Sequence, residues 1–306
     1  MSQTLSDRLC GIIPPVITPF RDDGEFDAES AANLCRYMID CRMNGLFMFG
    51  SSSEGPALTA AQREQSFGIA VEAAAGKIPI VAGVMEPTTQ RVIAQARVAK
   101  DAGADGLVVC PPYYYPTLQE EVIRHFRLIR EAVDLPIIAY DIPATTKIKM
   151  SLETMLKLAS EGTIVATKDS SGDATNLRRL LIHRPSGFRV FTGSEAIVDT
   201  ALIAGADGSV PGLANVAPKP YAEMYDYWVA GRMRETFEVQ NTLTRLYEVF
   251  VKPGGGNSPG YAFGSMKIAM KLRGVIASCR LSDPFEQITA EHETRVKRIL
   301  EETGTL

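Results

Sequence analysis

Lys168 ends a short apolar run at residues 164–167 and is followed at once by Asp-Ser-Ser-Gly-Asp. A lysine at the mouth of a buried strand is costly unless it is paired, solvated or used as a neutral amine. Two readings are open: a strand-end lysine that snorkels to water or pairs with an acid, and an amine nucleophile that forms a Schiff base with a carbonyl substrate. Other residues able to do chemistry close short apolar runs in the same way. Ser51, Ser52 and Ser53 stand in GSSSEG ahead of Glu54, Tyr113, Tyr114 and Tyr115 in CPPYYYP, Tyr140 and Asp141 in AYDIP, and Gly193, Ser194 and Glu195 in TGSE. An amine, a phenol for proton relay, and hydroxyls with backbone N–H groups for a carboxylate suit a 2-oxo acid held as an imine. Each also has a purely structural reading. Serines after a strand cap helices, tyrosines suit half-wet rims and interfaces, and Tyr140 could fill a layer of a core.

The elements that must position these residues alternate. Candidate strands are residues 11–20, 45–50, 78–84, 105–112, 136–143, 163–169, 188–194 and 207–212. Between them lie segments with apolar residues at three- and four-residue spacing, several starting at Ser, Thr or Asp in N-cap positions. Continuous apolar strands alternating with helices predict a parallel sheet covered by helices. AGADGL at 102–107 recurs as AGADGS at 204–209, with CRMNGL at 41–46 a looser copy, each where a helix ends and a strand begins. Eight such units with right-handed crossovers predict an α/β fold, a (β/α)8 TIM barrel, with working residues at the C-terminal ends of the strands. A doubly wound sheet is the alternative, but no GxGxxG follows the first strand. Residues 1–217 are expected to form the barrel core, and 218–306 its last helix and a C-terminal helical extension. KPGGGNSPG at 252–260 is expected to be a mobile interhelical turn and, lacking GK[ST], no phosphate loop.

The 306 residues are 45% hydrophobic and 22% charged, with a formal net charge of −4. No basic footprint for nucleic acid is present. No apolar run reaches the length of a membrane span, and the start lacks the pattern of a secretory signal. Five scattered cysteines without a CxxC pair read as reduced thiols of a cytoplasmic protein. His125, His183 and His292 have no metal-ligand spacing, so neither a metal nor another cofactor is expected.

The motifs taken together resemble those of the dihydrodipicolinate synthase / N-acetylneuraminate lyase family of class I, pyruvate-dependent lysine aldolases. The similarity runs over nearly the whole chain: PPVITPF, GSSSEG for the family's GTTGE-type motif, PYYYP, YDIP for YNIP or YNVP, KDSSGD, and AGADGSVPGLANV. The resemblance implies that Lys168 forms the imine with pyruvate, Tyr140 relays protons, and Ser51 and Ser52 hold the pyruvate carboxylate. It implies further that Tyr114 enters a neighbouring subunit's site, that the Val210 carbonyl lines the pyruvate pocket, and that the protein is a homotetramer, a dimer of dimers, acting on small molecules. Thr145 stands where family members acting on aspartate semialdehyde carry an arginine, so the bidentate carboxylate clamp is missing. PYYYP resembles the sugar-acid members, and Ser53 and Asp141 replace a glycine and an asparagine. Thr145, Thr167, Asp169, Ser170, Ser194 and Glu195 are candidates to bind a polyol chain, and Gly193 is a further substrate-binding candidate. The expectation is a 2-keto-3-deoxy sugar-acid aldolase or related lyase. The alternatives are dihydrodipicolinate synthase, a metal-dependent class II aldolase and a non-catalytic barrel.

Overall fold

The computed structural model describes residues 4–255 and 258–306. Eight strands form one parallel sheet: β1 (Gly11–Ile12), β2 (Leu46–Met48), β3 (Ile80–Gly83), β4 (Gly106–Val109), β5 (Ile137–Asp141), β6 (Ala166–Asp169), β7 (Arg189–Thr192) and β8 (Gly208–Ser209). Their order, β1-β8-β7-β6-β5-β4-β3-β2, leaves β1 and β2 at the two ends. A parallel bridge from Pro15 to Phe47 joins those ends. There the Val16 N–H donates to the Phe47 carbonyl and the Phe47 N–H to the Pro14 carbonyl, at 2.9 and 3.0 Å. The sheet therefore curls into the TIM-barrel-like fold expected.

The first strand is the main departure from expectation: only Gly11 and Ile12 pair as a strand, not residues 11–20. Pro14 and Pro15 carry no N–H, so a continuous ladder cannot pass through them. The remaining strands fall inside their expected ranges but are shorter. Helices start as the sequence suggests, with Asp27, Thr59, Ser151 and Asp173 each accepting a bond from a backbone N–H in the first turn. The segment 195–203 is a 3-10 turn followed by a short helix, Val198–Ile203. After β8 the chain is helical, with helices at Pro218–Val229, Met233–Leu246, Pro259–Leu272 and Ala290–Glu302. Of the segment 252–260, Gly256 and Asn257 lie outside the described residues.

The repeated joint has one mechanical role. Asp105 accepts from the Ile80 N–H, Asp207 from the Val190 N–H, and Asn44 from the Ile12 N–H, each at 2.8 Å. In each copy the polar residue satisfies a donor on the strand before it, which fixes the register of neighbouring strands. The turn needs a left-handed residue two positions earlier. Gly103 and Gly205 take it at φ 88° and 103°, and Arg42 takes it at φ 63°.

Strand alternation divides the apolar residues into two cores. Phe47, Val81, Val108, Ile138, Ala166 and Phe191 point into the barrel, whereas Leu46, Ile80, Leu107, Ile137 and Val190 pack under the surrounding helices. The interior is stoppered at the N-terminal ends of the strands by the turn of helix Leu5–Arg8, whose Leu5, with Leu9, joins the inner cluster. Gly106 has no side chain because a Cβ there would overlap Leu5. Among the described residues no helix is long and apolar enough to cross a membrane.

Candidate active site

The register of β5 and β6 sets Tyr140 beside Lys168 and Asp141 beside Asp169. Alternation then turns Tyr140 and Lys168 inward. Lys168 is 5% exposed, and its Nζ lies 4.3 Å from the Tyr140 ring centroid and 5.4 Å from that of Phe47. Two aromatic faces favour a cation, but they supply neither a lone pair nor a counter-charge. The other deeply buried lysine, Lys267, is paired with the Glu54 carboxylate at 2.6 Å, whereas among the described residues Lys168 has no such pair. Beneath Lys168 a small apolar cavity is walled by Ile138, Phe191 and Val210. An amine above an apolar floor has few polar neighbours of the protein to hold it.

On the opposite flank Gly193 leaves room for the lysine stem. A Cβ there would overlap Ser170 Oγ and stand 2.9 Å from Lys168 Cε. Lys168, Ser170 and Gly193 thus share one space. Glu195, half-buried, accepts the Gly212 N–H at 2.9 Å. Burial pushes its carboxyl above its ordinary 4.5, while hydrogen bonds and the Lys168 charge pull the other way. Ser52 is brought to the same place: a Cβ on Gly212 would lie 3.2 Å from Ser52 Oγ and 3.3 Å from Glu195 Oε1. Ser194 lies at this rim with its N–H bonded to Thr192 Oγ1.

Two expected polyol contacts are corrected. Thr167 faces the helices, is fully buried, and donates its hydroxyl to the Ala139 carbonyl at 3.0 Å. Asp169 also faces away from Lys168 and accepts the Ser171 N–H at 2.8 Å. Both sit one residue out of phase with Lys168, so the pleat points them to the wrong side. Asp141, on that same outer side, pairs with Lys149 and accepts the Met150 N–H at 3.3 Å. Burial raises its carboxyl, with Lys149 opposing.

The serines divide by role. Ser53 donates to the Val16 carbonyl and its own carbonyl accepts the Thr18 hydroxyl. The hydroxyls of Ser51 and Ser52 have no protein partner among the described residues, so they remain free for a ligand. Gly55 closes the turn because a Cβ would strike the Phe49 carbonyl oxygen. Val210 closes the barrel interior, its N–H bonded to the Thr192 carbonyl at 2.9 Å. Tyr114 and Thr145 are not drawn to Lys168 by any contact of the described residues. Tyr114 is 84% exposed at φ 87°, packed edge-on against Tyr115. Thr145 is exposed in the turn Pro143–Thr146. Sequence reasoning missed Glu54 and Lys267; the lysine inside the apolar stretch SMKIAMKL was the available signal, since a buried ammonium requires an acid. Among the described residues no group of three or more His, Cys, Asp or Glu is arranged to hold a metal ion.

The sequence matches the dihydrodipicolinate synthetase family over residues 8–303. It is 31% identical over 300 residues to a 4-hydroxy-tetrahydrodipicolinate synthase of Gluconacetobacter diazotrophicus, covering 97% of each chain. It is 32% identical over 298 residues to a DapA-like lyase of Halobacterium salinarum, covering 97% of this chain and 95% of that one. The fold superposes with a TM-score of 0.90 at 25% identity on YagE, a prophage protein of the dihydrodipicolinic acid synthase family from Escherichia coli K12 in complex with pyruvate, covering 97% and 99% of the two chains.

Proposed function

The chain belongs to the dihydrodipicolinate synthetase family and is a lyase of the class I pyruvate aldolase type, and from that premise we propose that Lys168 carries the imine and that the product or substrate is a 2-keto-3-deoxy sugar acid. The observation that carries the first part is a buried amine over the Tyr140 ring with no carboxylate partner among the described residues. In the proposed mechanism the neutral Lys168 amine attacks the ketone carbon of pyruvate, and the carbinolamine loses water to give an iminium. Tyr140 is the proton carrier for that water. With the iminium drawing electrons, Tyr140, which gave its proton to the departing water, takes one from the methyl carbon; the resulting enamine attacks an aldehyde carbon, whose oxygen receives that proton. Water then adds to the iminium and releases the product with the free amine restored. Run backward, the same steps cleave the C–C bond. Ser51 and Ser52, whose hydroxyls are unclaimed, bind the carboxylate of pyruvate.

For the aldehyde, Thr145 in place of an arginine removes the means of gripping a second carboxylate. Ser170, Ser194 and Glu195 ring the mouth with groups suited to hydroxyls. A 4-hydroxy-tetrahydrodipicolinate synthase is the second reading, supported by the name of the Gluconacetobacter relative. Exposed Tyr114 would serve the site of a neighbouring subunit in a dimer of dimers.

Incubation with pyruvate and borohydride should add a reduced pyruvate adduct to the peptide that contains Lys168, and Lys168→Ala should abolish it. Folded protein without an adduct would sink the assignment. A panel of 2-keto-3-deoxy acids against aspartate semialdehyde separates the two substrate readings; faster turnover of the semialdehyde would favour the second.

A further inference from the structure

We infer that the buried Glu54–Lys267 ion pair is a positioning device for the hydroxyls of Ser51 and Ser52, so that a helix outside the barrel sets the geometry of the pyruvate-carboxylate subsite. The inference rests on the reading of those two serines given above. The turn at residues 49–55 is strained at both ends. Phe49 and Glu54, neither of them glycine, hold left-handed backbone at φ 62° and 54°. Such conformations persist only where the surroundings over-determine them.

The Glu54 side chain is what the surroundings grip. It is wholly buried, with Oε1 2.6 Å from Lys267 Nζ, and Oε2 accepting both the backbone N–H and the hydroxyl of Ser282 at 2.7 Å. Lys267 in turn donates to the Arg280 carbonyl at 2.6 Å and stands 4.4 Å over the Phe20 ring. The pair therefore clamps three pieces of chain: the turn, the helix Pro259–Leu272, and residues 280–282. The grip passes directly to the serines, because the Glu54 N–H donates to the Ser51 carbonyl at 3.0 Å. The same helix comes close to Ser52 on either side of Gly212. Met266 Cε and Ser52 Oγ lie 2.9 and 3.2 Å from the point where a Cβ of Gly212 would stand. Other anchors of the turn, Ser53 to Val16 and Arg63 to the Gly55 carbonyl at 2.8 Å, fix its backbone flank and leave the Glu54 carboxylate to the pair.

A fully desolvated pair is a poor source of stability compared with apolar residues of the same volume, although removing one partner alone leaves an orphaned charge. That asymmetry supplies the test. The double variant Glu54→Gln/Lys267→Met removes both charges with little change in volume. Borohydride trapping is followed as a function of pyruvate concentration, together with the melting temperature. The expected result is a native-like melting temperature with half-saturating pyruvate raised by about ten-fold or more, and a trapping rate at saturation changed by less than about three-fold. A native-like melt with half-saturation within about two-fold of the parent overturns the inference. Should the double variant not fold, Glu54→Asp, which keeps the charge and shortens the reach, carries the test. A rise of about three-fold or more in half-saturating pyruvate is expected, and no change overturns it. A parent protein that forms no adduct at all would instead fail the imine reading, which separates the two failures.

Discussion

Gly193→Ala probes the proposed site without removing any functional group. Gly193 has no left-handed backbone, so a side chain is excluded by space and not by conformation. The added methyl would overlap Ser170 Oγ, stand 2.9 Å from Lys168 Cε and 3.1 Å from Ser170 Cβ. The hydroxyl can rotate away, but a carbon–carbon contact near 2.9 Å must open by about 0.5–1 Å to reach its ordinary range. The Lys168 stem is the softest neighbour, so the displacement goes into the amine. Misplacement of a reacting group on this scale costs roughly 10–100-fold, or about 1.4–2.7 kcal/mol of activation free energy. Overpacking of the fold should cost about 1–3 kcal/mol of stability. The assay is the rate of pyruvate-dependent reductive trapping at saturating pyruvate, read beside the melting temperature. Ser170→Ala in the same chain removes the Oγ overlap and leaves the Cε contact, so it should recover stability more than rate. A single variant that traps at the parent rate would refute both the crowding and the placing of the reactive amine beside Gly193.

Two further outcomes are expected. Asn215 is fully buried, donates to the carbonyls of Pro15 and Gly212 at 2.9 and 3.0 Å, and accepts the Ile17 N–H at 3.2 Å. Asn215→Ala should cost about 3 kcal/mol, read from denaturant unfolding; a loss under about 1 kcal/mol would show that these bonds do not secure the segment after the first strand to the barrel. His125 is buried with Thr89 Oγ1 2.9 Å from its Nδ1, and burial lowers its ring from 6.5 to about 4. The folded state thus refuses a proton that the unfolded chain accepts. Its contribution is intact above about pH 6.5 and is lost as pH falls toward 4, by about 3 kcal/mol. His125→Asn should flatten the acid limb of a stability–pH curve; an unchanged limb would show that another group sets it.

Lys168 and Tyr140 were legible in the sequence because each ends an apolar run, and parallel neighbours in a barrel bring strand ends to one mouth. The echo AGADG was legible as a repeat, but its role was not. Only the fold shows Asp105, Asp207 and Asn44 each serving a donor on the preceding strand. The orientation of Thr167 and Asp169 was illegible for a physical reason. A strand buried on both faces carries no polar alternation, so its inward residues cannot be told from its outward ones. The first strand is shorter than its apolar run because Pro14 and Pro15, lacking N–H groups, interrupt the ladder. Glu54 and Lys267 escaped notice because a clamp that joins Glu54 to Ser282, 228 residues on, leaves no local pattern.

The stopper formed by Leu5 and Leu9 makes the barrel a well with one opening. Under the proposed mechanism everything that Lys168 exchanges must pass the same mouth: the keto acid entering, the water expelled when the imine forms, the aldehyde, and the finished product. Traffic in such a well is sequential. The reactant that bonds to the floor has to arrive first, and the second partner can only close over it. Rate measurements at varied concentrations of both substrates should therefore trace an ordered exchange, with the keto acid leading and a competitor for it acting from beneath the aldehyde.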